Sequence, residues 1–379
     1  MEPRAQLPYY VKLTYRLILI LIIGILISAM QNILVPVAFA VLLALLLLPL
    51  VSLLERAKIS PVLSIAISLL ITFLFIAGLV YFFSTQIATF VDDIPLIKEH
   101  LQKHFVTLQV WIKKNLHVSL YEQNQYFNTA AAKLKSSGTG VLSDTFFSIT
   151  EVLMLLILLP IYTFLLLYYR DLIKRFLFAV FPKTETVKVA SVISDTKLMV
   201  KNYMLGLLIE MGIVAVANSF GLLILGIKYA VFFGVMSAVL NVIPYIGMFT
   251  ATLFTVLITL STSDSARDLL WVIIILYGVH MIDVNILMPK IVGSKVRINA
   301  MFSLIGVVIG GMLTGLSGLF LSVPAIALTK IIFDQVDDLK PWGMLLGDDI
   351  TGTRKSKLYQ KINAINLRKK KKLNLPTVE

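Results

Sequence analysis

The sequence predicts an all-α polytopic membrane protein with about eight hydrophobic segments, the last ones broken or re-entrant. Three observations carry that expectation. Of the 379 residues, 58% are hydrophobic and 15% charged, with a mean hydropathy of +0.89; soluble chains run at roughly 45–50% apolar and about 25% charged. The apolar residues gather in uncharged runs long enough to cross a bilayer. Two further uncharged stretches, 229–263 and 298–329, are 35 and 32 residues long. One crossing takes about 20 residues and two take about 40 plus a turn. Each stretch is therefore too long for one span and short for two.

Composition also narrows the function classes. The chain has no Cys, so disulfides, thiolate metal sites and thiol nucleophiles are excluded. The net charge is +13, and it gathers in loops beside hydrophobic spans. That placement points to a lipid bilayer as partner and not to nucleic acid. The sequence has no phosphate loop with Gly-Lys-Ser/Thr and no Gly-x-Ser-x-Gly elbow, which disfavours ATP-driven transport by this chain alone and a serine hydrolase. No cofactor is expected.

The elements follow in chain order. Residues 1–84 hold three spans, at 14–31, 34–54 and 62–84. Met1–Arg16 precedes an apolar run with no small-residue cleavage site after it, so Leu17–Ala29 reads as part of the first span. A tight turn around Gln31-Asn32 joins the first two spans, and Glu55-Arg-Ala-Lys58, closed by Pro61, separates the second and third. Residues 85–145 are a polar insert. In it Phe90, Ile94, Ile97, Leu101, Phe105, Leu108, Trp111 and Ile112 recur at helical spacing between charges, which is an amphipathic helix or helical hairpin. Residues 146–169 are the fourth span, with Glu151 near its outer end. Residues 170–202 form a basic loop. Residues 203–333 are the transport core, and 334–379 a basic tail ending in Arg368-Lys-Lys-Lys-Lys372.

Orientation comes from the short loops. The N-terminal arm carries three Lys/Arg, the loop at 55–60 two, and the region after the fourth span seven. Placing these in the cytoplasm puts both termini inside and the insert outside. The core then repeats itself. Span 203–226 carries Glu210, ends at Lys228, and is followed by an apolar segment broken at Asn241-Val-Ile-Pro244-Tyr-Ile-Gly247. Span 269–289 carries Asp283, ends at Lys290, and is followed by a segment broken at Gly310-Gly311, Gly315 and Gly318. With the charge rule applied, the units run in opposite directions, as in an inverted-topology repeat.

Asn241-x-Ile243-Pro244-Tyr245-x-Gly247, together with Asp283-x-Asn285-x-Leu287-x-Pro289-Lys290-Ile291-x-Gly293 and the following Gly310, Gly311, Gly315, Gly318 and Pro324, resemble the autoinducer-2 exporter family of bacterial permeases. The resemblance covers roughly residues 10–340. It implies a multi-span transporter of the bacterial inner membrane that forms a homo-oligomer. Some relatives are linked to export of the quorum-sensing signal and others to sodium–proton exchange. Members often carry Gln where this chain has Met288, and Pro where it has Asn299-Ala300. If that polar position helps to hold substrate, the substrate here differs.

The candidate pathway residues each carry a chemical reason and a plainer reading. A carboxyl at membrane depth costs a few kcal/mol and must face protein or water with a partner. Glu210 and Asp283 are therefore candidates for a proton or cation site, or else structural carboxyls paired near a span end. His280 shares a helical face with Asp283 and could relay protons, or hydrogen-bond as a neutral ring. With no third ligand at fitting spacing, no metal site is expected. Pro244 frees a carbonyl, and Asn241, Tyr245 and Gly247 add an amide, a hydroxyl and a close backbone approach; the plainer reading is a turn between short helices. Asn285, Pro289 and Gly293 belong to the second motif. Gly310, Gly311 and Gly315 allow close packing or an unwound tip. The expected function is export of a small solute with ion or proton coupling. The alternatives are a cation–proton antiporter and a non-transporting scaffold acting through the insert.

Overall fold

The structure is a computed structural model that describes residues 9–117, 119–125, 128–129, 149–241, 246–262, 266–293 and 298–348. Every named element among them is a helix. Helices α1 (Tyr9–Ala29) and α2 (Gln31–Arg56) are separated by Met30 alone, whose φ of −104° and ψ of 15° break the α geometry. The expected turn at Gln31-Asn32 is thus displaced to Met30. The amides of Ile33 and Leu34 already donate to the Met30 carbonyl, at 3.0 and 2.9 Å, so the helix restarts at once.

Helix α3 (Pro61–Asp92) opens with Pro61, whose fixed φ and missing N–H suit a first turn, and runs past the expected end at 84. Asp93 alone separates it from α4 (Ile94–Leu116), the amphipathic helix of the insert. Helix α5 (Ile149–Tyr168) is followed after Tyr169 by α6 (Arg170–Val180), bent away by 65°. The region expected as a basic loop is therefore helical. Helix α7 (Thr186–Ile224) spans 39 residues, because no Pro interrupts the chain between Pro182 and Pro244. It is about 58 Å long at 1.5 Å per residue, well beyond a ~30 Å hydrocarbon layer.

Gly226 at φ +68° turns the chain, and α8 (Ala230–Asn241) runs back along α7. Helix α9 (Ile246–Thr262) follows, then α10 (Ala266–Ile282), which continues into a π-helical segment over Asp283–Gly293. Helix α11 (Ala300–Gln335) leads through a 3-10 turn at Asp337–Leu339 to α12 (Lys340–Leu346).

Both over-long stretches are helical hairpins. In the first, Phe233 of α8 and Ile258 of α9 share one buried cluster, while Asn241 and Ala251 line one cavity nearer the turn. In the second, α11 is two arms meeting where Thr314 and Gly315 leave helical geometry, Gly315 at φ +62° and ψ −140°. The arms touch through glycine. A Cβ at Gly310 would strike Ser322 Oγ and the Gly318 carbonyl, and one at Gly318 would strike the Gly310 carbonyl. Each acid-bearing helix, α7 and α10 with its π segment, is thus followed by a hairpin.

Three buried clusters hold the helices together. Ala44, Leu47 and Val51 of α2 pack with Ile65 and Leu69 of α3 and Leu167 of α5. Leu42 packs with Met199, Val200 and Tyr203 of α7 and Ala327 of α11. The third cluster joins Leu222 of α7, the first hairpin, Val272 and Leu276 of α10, and Ile97 of α4. The insert is therefore seated on the first hairpin. Asp93, just ahead of α4, reinforces that seat: it pairs with Lys228 and accepts from Tyr229 Oη, directly ahead of α8. These two partners hold the Asp93 carboxyl below the usual carboxylate range.

Polarity is arranged inside out relative to a water-soluble protein. The outer surface carries Leu, Ile, Phe and Val side chains along α1, α3, α5 and α10, whereas Ser64, Ser68, Thr163, Thr255 and Thr259 are buried. Four of those hydroxyls find partners within their own helices: Ser68, Thr163, Thr255 and Thr259 each donate to the carbonyl four residues back, at 2.6–2.8 Å. That satisfies them where no water can. Among the described residues five helices are long and apolar enough to cross a membrane, and the apolar α5, from which α6 bends away by 65°, is a candidate sixth.

Candidate functional site

The buried polar groups of the core converge where the first hairpin meets α7 and α10. The buried residues of α7 form one stripe, Tyr203, Gly206, Glu210, Val214, Asn218 and Leu222, spaced three or four apart. Glu210 is 6% exposed. Across from it stands Asp283, 2% exposed, at the point where α10 passes into its π segment. The two carboxyls interact directly. Pro289 lacks the amide that an α-helix would donate to the residue-285 carbonyl, so the helix from Asp283 onward widens rather than holding its α ladder.

The hairpin contributes the third group. Asn241, the last residue of α8, donates from Nδ2 to Asp283 Oδ2 at 2.7 Å. One turn earlier on α8, Ser237 Oγ accepts from Asn218 Nδ2 at 2.7 Å and itself donates to the Gly234 carbonyl at 2.8 Å. Gly234 makes the approach of α8 to α7 possible, because a Cβ there would strike the backbone of Ser219.

Between these groups lies a cavity of about 20 Å³, lined by Asn218, Ser237, Asn241, Thr252, His280 and Asp283 among others. It has room for about one water-sized group and none for an organic solute. Two buried oxygens of lining residues, Asn218 Oδ1 and Asp283 Oδ1, and a third on Glu210, Oε2, have no hydrogen-bond partner among the described residues. All three are acceptors in the states that Asp, Glu and Asn offer a cation. The arrangement can therefore take a proton, a water or a small hard cation, which prefers oxygen ligands. Among the described residues no cluster of three His, Asp or Glu forms a resident metal site.

Of the residues singled out in the sequence, the structure brings together Glu210, Asn241, His280 and Asp283. Asn285 is exposed and donates to the Met281 carbonyl at 2.8 Å instead of lining the cavity. Pro289 is exposed on the π segment and Gly293 ends it. Gly247 lies in the first turn of α9. Pro244 and Tyr245 lie outside the described residues. Gly310, Gly311 and Gly315 belong to the contact and the apex of the second hairpin, away from the cavity. Sequence reasoning missed Asn218, Ser237 and Thr252. Asn218 carried a usable signal: it is the one amide in the apolar part of its helix, 203–224, eight residues and so about two turns beyond Glu210.

Comparison with known proteins bears on what this site serves. The family model described as "AI-2E family transporter" matches residues 16–338. YueF of Bacillus subtilis (strain 168) is 28% identical over 301 residues, covering 75% of this chain and 79% of that protein. YhhT of Escherichia coli (strain K12) is 24% identical over 333 residues, covering 88% and 92%. YrrI of Bacillus subtilis is 29% identical over 162 residues, covering 43% and 45%. All three are named as candidate transport proteins.

Proposed function

The chain belongs to the AI-2E transporter family, and from that premise we propose that it is a secondary transporter whose coupling cation is held by Glu210, Asp283 and Asn241. The observation that carries the reading is the burial of both Glu210 and Asp283, with Asp283 held at the cavity by the 2.7 Å hydrogen bond from Asn241 at the end of α8. Two buried carboxyls side by side repel one another when both are charged, so a single proton held by the pair is favourable. Loss of that proton leaves two adjacent negative charges in a low-dielectric site, which a sodium ion or a second proton would offset. Exchange of one cation for the other keeps the net charge of the pair constant. Asn241 ties this exchange to the hairpin, because its amide bonds Asp283 only while that oxygen is free to accept.

In this reading the transporter sits in the bacterial inner membrane as a homo-oligomer with both termini in the cytoplasm. It exports a small solute along a path opened by movement of the first hairpin. A second reading, a cation–proton antiporter with no organic solute, is favoured by one observation: the cavity of about 20 Å³ fits a water-sized group alone.

Proteoliposomes test the proposal. Glu210→Gln and Asp283→Asn should each lower sodium-driven proton flux about ten-fold or more, since a lost charge-assisted contact costs roughly 1.5–3 kcal/mol. If both variants leave solute and proton fluxes intact, the carboxyl-coupled reading fails. Sodium-driven proton flux in vesicles free of organic solute selects the antiporter.

A further inference from the structure

Helix α6 has no place in the transport site, yet its construction is specific. None of its residues is buried. Leu172, Ile173, Phe176 and Val180 are all exposed and, at spacings of one, three and four, share one face. Lys174 and Arg175 lie on the other with Asp171, all three exposed, and Arg175 Nε donates to the Asp171 carbonyl at 3.4 Å. The half-buried residues are Arg170, Leu177 and Phe178, so the apolar stripe is not the face that meets the protein. A helix built in this way in water would expose Phe176 at 63% for no return.

We propose that α6 lies in the plane of the membrane surface, its apolar face in the headgroup–acyl boundary and its basic face on anionic phospholipid headgroups. Four observations select the bilayer as the occupant. The helix continues directly from the apolar α5 and turns from it by 65°, the change of direction that takes a chain from crossing a membrane to lying on it. Tyr168 and Tyr169 are exposed at the bend, where an interfacial aromatic belt falls. Arg170 makes two hydrogen bonds of 2.8 Å to the Glu55 carboxylate at the end of α2, so two span ends meet at the level where α6 begins. The pairing also occupies Arg170 and leaves Lys174 and Arg175 for headgroups. Amphipathic helices with basic polar faces bind interfaces by this combination of buried apolar area and charge.

The chain contains no Cys, so single labels are unambiguous. A bimane label on Phe176→Cys, in full-length protein in proteoliposomes, is read by quenching with brominated phosphatidylglycerol and brominated phosphatidylcholine at equal mole fraction. Both lipids should quench, the anionic one several-fold more, given roughly five-fold per Lys or Arg near an anionic surface. Adding Lys174→Glu and Arg175→Glu should bring the ratio to about one. A label at Leu172→Cys should repeat the pattern. Absence of quenching by either lipid overturns the proposal and means that a second copy or another protein covers the face. Equal quenching by both lipids in the single-Cys protein overturns the headgroup selection.

Discussion

A methyl group added at Gly318 would meet the Gly310 carbonyl, which is backbone and cannot rotate aside, whereas one at Gly311 would meet only the Cδ2 tip of Leu319. One at Gly278 meets nothing within 4 Å. The three positions therefore rank the cost of one substitution. Gly318→Ala should destabilise the protein by about 1–3 kcal/mol through overpacking, Gly311→Ala by less, and Gly278→Ala not at all. Thermal unfolding in detergent checks the order, and equal midpoints for all three would contradict it. The same scale explains what the sequence exposed of the site. Glu210 and Asp283 stood out one by one because a carboxyl in an apolar run is conspicuous. Their contact did not, because they lie 73 residues apart on different helices and no periodicity carries that information. Ser237 was hidden for another reason: small hydroxyls in membrane helices usually satisfy themselves on the carbonyl four residues back, as Ser68 and Thr255 do here.

Among the elements, periodicity and length located the apolar helices, and the two breaks located the interrupted segments while leaving hairpins and pairs of short spans both open. Charge misled where it was read as loop. Residues 186–202 carry Lys188, Lys197 and Lys201, yet nothing in them stops a helix, and α7 begins at Thr186. That early start has a partner. Lys188 lies 3.0 Å from both Glu185 and Asp337, and Asp337 also pairs with Lys340 at 2.6 Å, joining the start of α7 to the end of α11. The two lysines lower the Asp337 carboxyl from its ordinary 3.8 to about 2. A depressed carboxyl contributes stability that is full above its ordinary value and lost as pH falls through the folded one. Asp337→Asn should therefore lower the melting temperature at neutral pH, with the difference from the parent protein fading between about pH 4 and pH 2. A difference that grows on acidification would show that the network does not act this way.

For the whole molecule, the repeated order of acid-bearing helix and hairpin makes topology a strong test. In the inverted arrangement Ser263 and Lys295 face opposite sides of the membrane. Single cysteines at these positions in the Cys-free chain should be labelled by a membrane-impermeant maleimide from opposite sides of intact cells and inverted vesicles; labelling of both from one side excludes inversion. Composition alone carried the fold class, because a surface of Leu, Ile and Phe around a polar interior is a property of the whole chain. Which helices touch was beyond it. One such contact bears on transmission of force. Helix α8 begins directly after Lys228 and Tyr229, the partners of Asp93, and ends at Asn241, the partner of Asp283. Its 12 residues make a stiff rod about 18 Å long. A push on the insert helix α4 thus arrives at Asn241 and Asp283 along a single strut, without needing the bilayer to carry it.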